Sequence, residues 1–555
     1  MITEITLKFG KAPGLQPEPI KLTPITVFVG PNNSGKSKIL AEIRRFCSSQ
    51  QRFNNDVILG DIKIQPLPPE EIEETIRRFT FNPGPNQPIG AREIAYGRPD
   101  RQWSVVNRDE LANNLRSPET DAFRYYYLAL ETLMLDGPGR VQLINTQAAG
   151  DLQGKPLTSL QVLFQDDAKR NEVRRIVHAA FGLFFVVDPT QLGQFRIRLS
   201  VRGPIDELEE RGIHTSAVEF HKAALPIEEA SDGVKAFTGI VTEIIAGDPK
   251  ILLIDEPEAF LHPSLSFQLG DEISRLSAGS KKNLFVSTHS ATFVMGCIQS
   301  GAPVNIVRLT YRAGIPTARV LRNEDILELM RNPLLRSTNV LNGLFYEFVV
   351  VTESDADRAF YQEINERLLR FLPEAGIPNC LFLNAQNKQT VRTVIRPLRE
   401  LGIPAAGIVD VDVLKEGGNV WTNFLAAGFV PDVEWQPLGG IRSTIREKLD
   451  ATGKKMKSEG GIRLLTGSDR EAANNLFEKL EEYGLFVVRG GELESWLKTL
   501  GATGHGPNWL VDIFGKMGED PDDPAYVKPQ PGDVWDFITG LKRWLANPSR
   551  KGIPL

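Results

Sequence analysis

The sequence predicts an α/β protein with two separate parallel sheets, and three observations support this fold class. The apolar run Ile25–Val29 leads into a glycine-rich loop and then into apolar residues at helical spacing. The run 251–254 is continuously apolar, as is typical of strands covered on both faces, and 283–286 is predicted to be a similar buried strand. After residue 340, strand and helix patterns alternate with short connections, which predicts a second parallel sheet.

Composition limits the class of protein. At 555 residues the chain is too long for one core, and its 41% hydrophobic and 24% charged residues are ordinary for a globular protein. No apolar run approaches the roughly 18 residues of a membrane-spanning helix, and the first residues lack a signal-peptide pattern. Three scattered cysteines indicate a reducing compartment. We therefore expect a cytoplasmic protein without membrane contact.

The net charge of −6 does not indicate nucleic-acid binding, although a local basic face can coexist with a negative net charge.

The first half is expected to form one α/β domain with insertions. Alternating apolar residues at 2–9 predict an opening strand, and the proline- and glycine-rich segment 53–105 is expected to be irregular. Further elements are expected as helices at about 108–135 and 166–181, strands at 184–187 and 195–201, a helix within 226–246, and strands at 251–254 and 283–286. We assign residues 1–335 to this domain, with a helical insertion at roughly 105–225 that is a candidate dimerisation element.

The second half is expected to form another domain, which we assign to residues 340–555. The patterns predict strands at 346–352, 380–385, 405–411 and 485–489, alternating with helices at 355–371, 388–401, 469–483 and 493–500. The stretch 519–533 is rich in Asp, Pro and Gly and is expected to be loosely ordered.

The residues Gly30 to Ser37 fit the phosphate-binding pattern G-x-x-x-x-G-K-[ST], with a strand before the pattern and a helix after it. The loop from Gly30 through Asn33 to Gly35 lets the backbone curl so that its N–H groups point at phosphate oxygens. Lys36 is expected to reach the β- and γ-phosphates, and the Ser37 hydroxyl to bind Mg²⁺. The sequence therefore predicts an ATP site.

Other polar residues at strand ends fit the same chemistry. Asp255 and Glu256 follow the run 251–254, an arrangement that places one acid beside Mg²⁺ and the next beside an attacking water. His289 follows the run 283–286 and is a candidate sensor of the γ-phosphate. Ser231 opens a helix, and a plain N-cap role would account for it equally well.

Carboxylates follow three strands of the second half in pairs. The pairs are Glu353 with Asp357, Asp410 with Asp412, and Glu492 with Glu494. Their spacings can place the two members of each pair on one side of a turn or strand. Acids gathered at one edge of a sheet repel each other unless cations lie among them, so we expect Mg²⁺ or Mn²⁺ there, and two such ions can promote phosphodiester cleavage. Each pair taken singly is also compatible with ordinary solvated acids.

The motifs of the first half, taken in order, resemble a known ATPase head. The loop 30–37, Ser231-Asp232-Gly233, the segment 255–263 and Ser287-Thr288-His289-Ser290 are similar to the ABC-type head of the SMC, RecF and OLD (overcoming lysogenization defect) group. The resemblance implies a homodimer, or a higher oligomer, with ATP between protomers. It also implies that Ser231 and Gly233 act on the partner's nucleotide, although this stretch departs from the LSGGQ of transporters.

The acids of the second half resemble those of a Toprim domain. Glu353 stands where that domain has its strand-end glutamate, and Asp410-Val411-Asp412 is similar to its D-x-D motif. An ABC head followed by a Toprim domain resembles the OLD family of ATP-dependent nucleases, which includes anti-phage effectors. Ser354 and Val411 depart from glycines that are common in Toprim domains. Such nucleases also use a late lysine near the scissile phosphate.

Three lysines are candidates for a role near the acids: Lys542 and Lys551 late in the chain, and Lys388 before a helix close to the active edge. The resemblance as a whole implies an ATPase and metal-dependent endonuclease that acts on DNA or RNA, tRNA included, in anti-phage defence, with a co-encoded protein as a further partner. The alternative is a RecF- or SMC-like ATPase scaffold or sensor whose Toprim domain binds a partner or nucleic acid without cleavage. The sequence leaves open the substrate and whether ATP activates or restrains cleavage.

Overall fold

The structure is a computed structural model that describes residues 1–48, 55–83, 89–98, 102–337 and 339–554. It divides into two compact units, Met1–Val29 with Asn33–Asn323, and Glu324–Leu555 with the loop residues Gly30–Asn32. The chain joins these loop residues directly to Val29, the last residue of a strand of the first unit, and to Asn33, with which the first unit resumes. The first unit thus ends before residue 335, where the sequence analysis places the end of the first domain.

The first unit contains both helices and strands throughout. Its strands are β1 (Ile2–Leu7), β2 (Ile20–Lys21), β3 (Ile25–Val29), β4 (Leu59–Ile64), β5 (Thr80–Phe81), β6 (Glu93–Arg98), β7 (Gln102–Asn107), β8 (Thr132–Leu135), β9 (Gln147–Ala148), β10 (Phe184–Asp188), β11 (Gln194–Ser200), β12 (Leu225–Pro226), β13 (Ile251–Asp255), β14 (Asn283–Ser287), β15 (Val304–Arg312) and β16 (Ile315–Leu321). Its helices are α1 (Lys36–Ser48), α2 (Pro69–Phe79), α3 (Arg108–Asn114), α4 (Asp121–Phe123), α5 (Ala129–Glu131), α6 (Gly137–Gln142), α7 (Ser159–Gln165), α8 (Asp167–Phe181), α9 (Glu207–Arg211), α10 (Thr215–Ala223), α11 (Asp232–Ala246), α12 (Pro263–Ala278) and α13 (Ala291–Gln299).

A six-stranded sheet forms the centre of the first unit, with the strand order β16-β15-β3-β14-β13-β8. The strands from β15 to β8 are parallel, and β16 pairs antiparallel with β15. Every residue of β3 and β14 is buried, which explains why most of their residues are apolar. Because parallel strands share one carboxyl edge, this pairing brings the loop after β3, Asp255 at the end of β13 and Ser287 at the end of β14 together.

Two expectations for the first half were wrong. The segment 53–105 contains β4, α2 and the antiparallel meander β5-β6-β7 within its described residues, rather than an irregular insertion. The helix expected at 108–135 is broken into α3, α4, a π-helical turn at Arg124–Leu128 and α5, and it ends in β8. β8 pairs in parallel with β13, so tertiary pairing overrides the helical spacing of its residues. The helices α8 and α11 confirm those expected at 166–181 and within 226–246.

The second unit is built on a four-stranded sheet of order β18-β17-β19-β20 in which all pairs are parallel. Its strands are β17 (Phe348–Thr352), β18 (Cys380–Asn384), β19 (Ala405–Asp410) and β20 (Leu485–Val488). Its helices are α14 (Asn323–Arg331), α15 (Pro333–Ser337), α16 (Asp355–Phe371), α17 (Lys388–Glu400), α18 (Gly418–Ala427), α19 (Asp432–Ala451), α20 (Gly467–Glu481), α21 (Pro507–Met517) and α22 (Asp533–Ala546).

The second unit confirms the expected parallel sheet and the helices that alternate with its strands. α16 and α22 pack against the sheet, and the core between them includes Phe360, Trp509, Trp535 and Trp544. The prediction of a helix at 493–500 was wrong, because this stretch forms two short 3₁₀ turns, Leu493–Ser495 and Lys498–Leu500. A 3₁₀ turn after β20 keeps the acids that follow the strand close to the sheet edge.

Candidate functional sites

The phosphate-binding loop has the backbone conformation that its glycines allow. Gly30, Asn33 and Gly35 have φ of 146°, 61° and 97°, in the region that favours glycine. A Cβ on Gly35 would lie 2.4 Å from Cδ1 of Ile58, so the loop is also closely packed at this point. Lys36 begins α1 at the end of the loop, as the motif requires.

Lys36 and Ser37 face the acids that follow β13. The Ser37 hydroxyl donates a hydrogen bond to Oδ1 of Asp255 at 2.9 Å, which gathers two oxygens suited to Mg²⁺. Burial lowers the pKa of Lys36 to about 8, against the opposing effect of Glu256, Asp255 and Glu258. A bound phosphate would supply the negative charge that favours the protonated lysine.

Glu256 and His289 lie together beside Lys36. Nε2 of His289 is 3.2 Å from Oε1 of Glu256. Burial and the positive charge of Lys36 lower the pKa of His289, so the imidazole is mainly neutral at pH 7. Glu256 has a φ of 51°, which is unusual for a residue with a side chain, and such conformations are enriched at functional sites.

Glu258 fixes the position of His289. One of its carboxylate oxygens accepts hydrogen bonds from the Thr288 hydroxyl at 2.7 Å and from the main-chain N–H of His289 at 2.8 Å. Burial raises the pKa of Glu258. The sequence pointed to this residue only as a member of the segment 255–263, and the structure shows that it positions the neighbouring loop.

Ser231 and Gly233 lie at the start of α11. Ser231 is exposed at the N-cap position, yet its side chain makes no capping hydrogen bond. Gly233 is buried, and a Cβ there would lie 2.6 Å from the carbonyl oxygen of Phe260. A side-chain N-cap role therefore does not explain Ser231. At position 233 a glycine is required, because the segment that follows Glu258 approaches α11 closely.

Acidic side chains gather at the carboxyl edge of the second sheet. Glu353 follows β17, Asp410 ends β19, and Asp412 lies in the 3₁₀ turn after β19. One ligand oxygen from each lies within 4.8 Å of the other two. Oε1 of Glu353 accepts a hydrogen bond from the main-chain N–H of Asp410 at 2.8 Å. Burial, with repulsion from neighbouring acids, raises the pKa of both Glu353 and Asp410.

The chemistry of this group suits a hard divalent cation. Its donors are carboxylate oxygens, and Oδ1 of Asp412 is buried without a hydrogen-bond partner. Asp357, predicted as a ligand, closes a capping box: its Oδ2 accepts from the N–H of Ser354 at 3.1 Å and from the Ser354 hydroxyl. Burial raises its pKa, and Glu494 contributes to the rise, so Asp357 still lies within the field of the acids.

A second group of ligand atoms is formed by Glu492, Glu494 and His505. Nδ1 of His505 lies 2.7 Å from Oε1 of Glu494, which also accepts from the N–H of Gly506 at 2.7 Å. The two glutamates were predicted from the sequence, and the histidine was not. His505 lies between Gly504 and Gly506 in a loop before α21, and no spacing in the sequence connects that loop to β20.

Two lysines, Lys457 and Lys388, contact the acids of this sheet edge, whereas the late lysines Lys542 and Lys551 do not. Nζ of Lys457 lies 2.9 Å from Oδ2 of Asp410 and 4.0 Å from Oε2 of Glu492. Gly491 allows this approach, since a Cβ there would lie 2.1 Å from the Lys457 carbonyl oxygen. Nζ of Lys388 lies 2.9 Å from Oδ2 of Asp412, in agreement with its expected place near the active edge.

The two late lysines are bound elsewhere. Lys542 donates to the carbonyl oxygen of Glu374, and Lys551 pairs with Glu482 at 2.6 Å. Lys457 was missed because it lies in a loop after α19, outside the strand and helix pattern that pointed to the other residues.

The family model described as "AAA domain, putative AbiEii toxin, Type IV TA system" matches residues 171–295. The matched segment contains Ser231, Asp255, Glu256 and His289. The first unit therefore carries an ATPase domain of the AAA or ABC-like kind. No curated protein matches the chain.

The solved structures that are similar include heads of SMC proteins. An SMC head bound to the C-winged helix domain of ScpA is 17% identical, with a TM-score of 0.35, and the match covers 59% of this chain and 99% of that one. The SMC head domain from Thermotoga maritima is 12% identical, with a TM-score of 0.30, over 58% of this chain and 99% of that one. An SMC head from Pyrococcus furiosus, also bound to a ScpA domain, is 15% identical, with a TM-score of 0.29, over 60% and 99%. TM-scores of this size establish no functional likeness, so the assignment rests on the family match and the site.

Among the helices in the described part of the chain, none is both long and apolar enough to cross a membrane.

Proposed function

We propose that the chain is an ATP-hydrolysing, metal-dependent endonuclease of the OLD type, whose second unit is a Toprim domain that cleaves nucleic-acid phosphodiesters. The observation that carries the proposal is the group Glu353, Asp410 and Asp412, whose ligand oxygens lie within 4.8 Å of one another at the carboxyl edge of a parallel sheet. A second group of ligand atoms, from Glu492, Glu494 and His505, follows β20 of the same sheet. Two sets of ligands on one edge, each with at least two carboxylates, suit two-metal phosphodiester chemistry.

In the first unit, each residue of the nucleotide site has a defined task. The backbone of the loop from Gly30 to Gly35 and the ammonium of Lys36 bind the phosphates. Ser37 and Asp255 hold Mg²⁺, since their oxygens already lie 2.9 Å apart. Glu256 activates the attacking water. His289, whose Nε2 lies 3.2 Å from Oε1 of Glu256, senses the γ-phosphate.

The proposed active form is a homodimer or a higher oligomer. Ser231 is exposed at the start of α11 and its hydroxyl makes no capping bond, which leaves it able to contact a nucleotide held by a second copy. Gly233 beside it keeps the turn close to the Phe260 carbonyl. In this arrangement one copy completes the ATP site of the other, so hydrolysis depends on association.

In the second unit, Glu353, Asp410 and Asp412 hold one Mg²⁺ or Mn²⁺, and Glu492 and Glu494 hold another. When bound, such ions lower the pKa of a water and stabilise the leaving oxygen of the phosphodiester. Lys457, whose Nζ lies 2.9 Å from Oδ2 of Asp410, is placed at this edge to contact a phosphate oxygen of the substrate. Asp357 holds Ser354 and the start of α16 in place and adds negative charge to the edge.

The proposed substrate is DNA or RNA, and tRNA is included among the RNA candidates. The two sites use separate sets of acids, so ATP hydrolysis and phosphodiester cleavage are separate reactions. ATP therefore acts as a control signal for cleavage. The biological role that fits an OLD-type nuclease is anti-phage defence, with a co-encoded protein as a partner.

The test is a cleavage assay with purified full-length chain, Mg²⁺ or Mn²⁺, and a panel of plasmid, linear duplex, single-stranded DNA and tRNA, with and without ATP. We expect metal-dependent cleavage that is lost in Glu353→Ala and Asp410→Ala, while both variants retain ATP hydrolysis. The converse variant, Lys36→Ala, is expected to lose ATP hydrolysis. Cleavage that survives in both acid variants would contradict the assignment of the metal site.

A second candidate function is favoured by the lysines at the acids. Lys457 on Asp410 and Lys388 on Asp412 and Glu416 already neutralise part of the negative charge, as in a site that does not take up metal. In that case the chain is an ATPase scaffold or sensor whose second unit binds a partner or nucleic acid without cleavage. The same assay separates the two, since the scaffold would cleave none of the panel even with a co-encoded partner added.

A further inference from the structure

Arg140 is a buried arginine beside the ATP site that no motif of the chain includes. It belongs to α6, directly after β8, and its relative exposure is 4%. Its guanidinium donates a hydrogen bond to the main-chain carbonyl of Glu256. The carboxylates within its field are those of Glu258, Glu256, Asp255 and Asp136. A permanent cation is thus fixed next to the acids that follow β13.

The carbonyl that Arg140 contacts belongs to a strained residue. Glu256 has a φ of 51°, a conformation that persists in a residue with a side chain only when its surroundings hold it. Its N–H donates to the carbonyl of Ser287 at 2.9 Å, and its own carbonyl also accepts from the N–H of Ala259 at 3.0 Å. Arg140 supplies the one side-chain donor among these three hydrogen bonds, and it is charged, so it is the strongest of them.

Helix α6 also packs against α11, the helix that opens with Ser231 and Gly233. A Cβ on Gly239, in the middle of α11, would lie 3.2 Å from the carbonyl oxygen of Arg140 and 3.0 Å from Cβ of Leu143. The two helices are therefore in backbone contact at the residue that carries the guanidinium. A shift of α11 along or about its axis must move α6, because close-packed backbones cannot absorb the change.

We propose that Arg140 is a positioning residue for ATP hydrolysis, which holds Glu256 in its left-handed conformation and makes that conformation depend on the position of α11. The inference rests on the proposed role of Glu256 in activating water. When the start of α11 contacts a nucleotide on a second copy, the contact at Gly239 transmits its position to Arg140 and from there to Glu256. Hydrolysis in one site then responds to occupancy of the other.

The first test is steady-state hydrolysis by Arg140→Gln. A glutamine is too short to reach the Glu256 carbonyl, so we expect kcat to fall on the order of 10²-fold, the cost of misplacing a catalytic group, with KM for ATP within about twofold of the wild-type value. Arg140→Lys retains a donor and a charge and is expected to recover part of the loss. A rise in KM with unchanged kcat would overturn the proposal, since it would mean that Arg140 binds nucleotide directly.

A matched control is Arg170→Gln. Arg170 is equally buried, at 3% relative exposure, and donates to the main-chain carbonyl of Leu163 at 2.8 Å, far along the chain from the acids. We expect this variant to lose thermal stability but to keep kcat. If both arginine variants lose kcat to the same extent at a temperature where both are folded, Arg140 has only a structural role and the proposal fails.

The second test separates this inference from the function on which it rests. Glu256→Gln alone examines the proposed role of Glu256, and full hydrolysis in that variant would contradict that role. If hydrolysis is lost, Arg140→Gln is added in the Glu256→Gln background. Because residues that act as a unit are not additive, we expect no further loss of the residual rate; a full independent loss would contradict the proposal.

Gly239→Ala provides a variant that keeps the Arg140 side chain but shifts the helix that carries it. The added methyl group must displace α6 by a few tenths of an ångström. We expect kcat to fall at least about threefold with an unchanged KM, and no further fall when Arg140→Gln is combined with it. Unchanged kcat in Gly239→Ala would remove the link between α11 and Glu256.

Discussion

Single residues at the nucleotide site have properties set by burial. Lys36 is 4% exposed, and its pKa is lowered to about 8 although three carboxylates act in the opposite direction. Near pH 8 the free protein therefore holds this lysine partly neutral. A triphosphate brings negative charge next to the amine and favours the protonated form.

We predict that ATP binding takes up a proton in weakly alkaline solution. At about pH 8.5, uptake of about half a proton or more is expected, and near pH 7 the uptake due to Lys36 becomes small, because the lysine is then already charged. ATP affinity should accordingly fall as the pH rises through about 8. Isothermal titration calorimetry in two buffers of different ionisation enthalpy measures the number of protons directly.

Lys36→Arg is the control for this prediction, since a guanidinium stays charged over the whole range. Its binding enthalpy should not depend on the buffer at about pH 8.5. Buffer-independent enthalpies for the wild-type protein would show that the lysine is already fully charged and that burial does not lower its pKa.

Several site residues could be predicted from the sequence, and others could not. Ser37 and Asp255 were predicted together, because a motif and the end of an apolar strand point to them and parallel pairing brings those ends to one edge. Lys457, His505 and Arg140 were missed. Each reaches its site from a loop or short helix whose place depends on tertiary packing, and no local pattern records that packing.

At the scale of secondary-structure elements, buried polar contacts join helices to strands. Arg399, near the end of α17, is fully buried and donates to the carbonyls of Ala405, Gly428, Gly484 and Gly552, at 2.9 to 3.3 Å. These carbonyls belong to β19, to the end of α18, to the turn before β20 and to the C-terminal segment. One side chain thus connects four segments of the second unit.

We predict that Arg399→Met lowers the free energy of unfolding of the second unit by about 3 kcal/mol, because buried carbonyls are left without a donor. Arg396→Ala, in the same helix, should cost less than about 1 kcal/mol, since Arg396 is exposed and pairs with Glu400 at 3.0 Å on the surface. Urea unfolding followed by tryptophan fluorescence measures the difference, since all seven tryptophans except Trp103 lie in the second unit. Equal effects of the two substitutions would contradict the role of Arg399.

Elements with strong periodicity or continuous apolar character were predicted well, and short ones were not. β17, β19 and α16 follow directly from their sequences. β8 was missed because Thr132 to Leu135 continues a stretch with helical spacing, and only its pairing with β13 makes it a strand. The stretch 493–500 forms two 3₁₀ turns rather than a helix, and the first of them contains Glu494.

At the scale of the whole molecule, one chain carries two chemically different sets of acids. In the first unit, Asp255 and Glu256 stand beside a phosphate-binding loop and its lysine. In the second unit, burial, with repulsion from neighbouring carboxylates, raises the pKa of Glu353 and Asp410 at a sheet edge. Such repulsion reduces stability, and it is typical of functional sites, where binding of a ligand offsets it.

The central claim is that the acidic edge of the second unit binds divalent metal, and Mn²⁺ binding followed by electron paramagnetic resonance tests it most directly. The nucleotide-free wild-type protein is compared with the double variant Glu353→Gln/Asp410→Asn and with a control of equal charge change on the exposed face of α19, Glu447→Gln/Asp450→Asn. We predict that the wild-type protein and the control bind Mn²⁺ alike, whereas the double variant binds at least about tenfold more weakly and unfolds at a higher temperature in the absence of metal. Unchanged Mn²⁺ binding in the double variant would contradict the account.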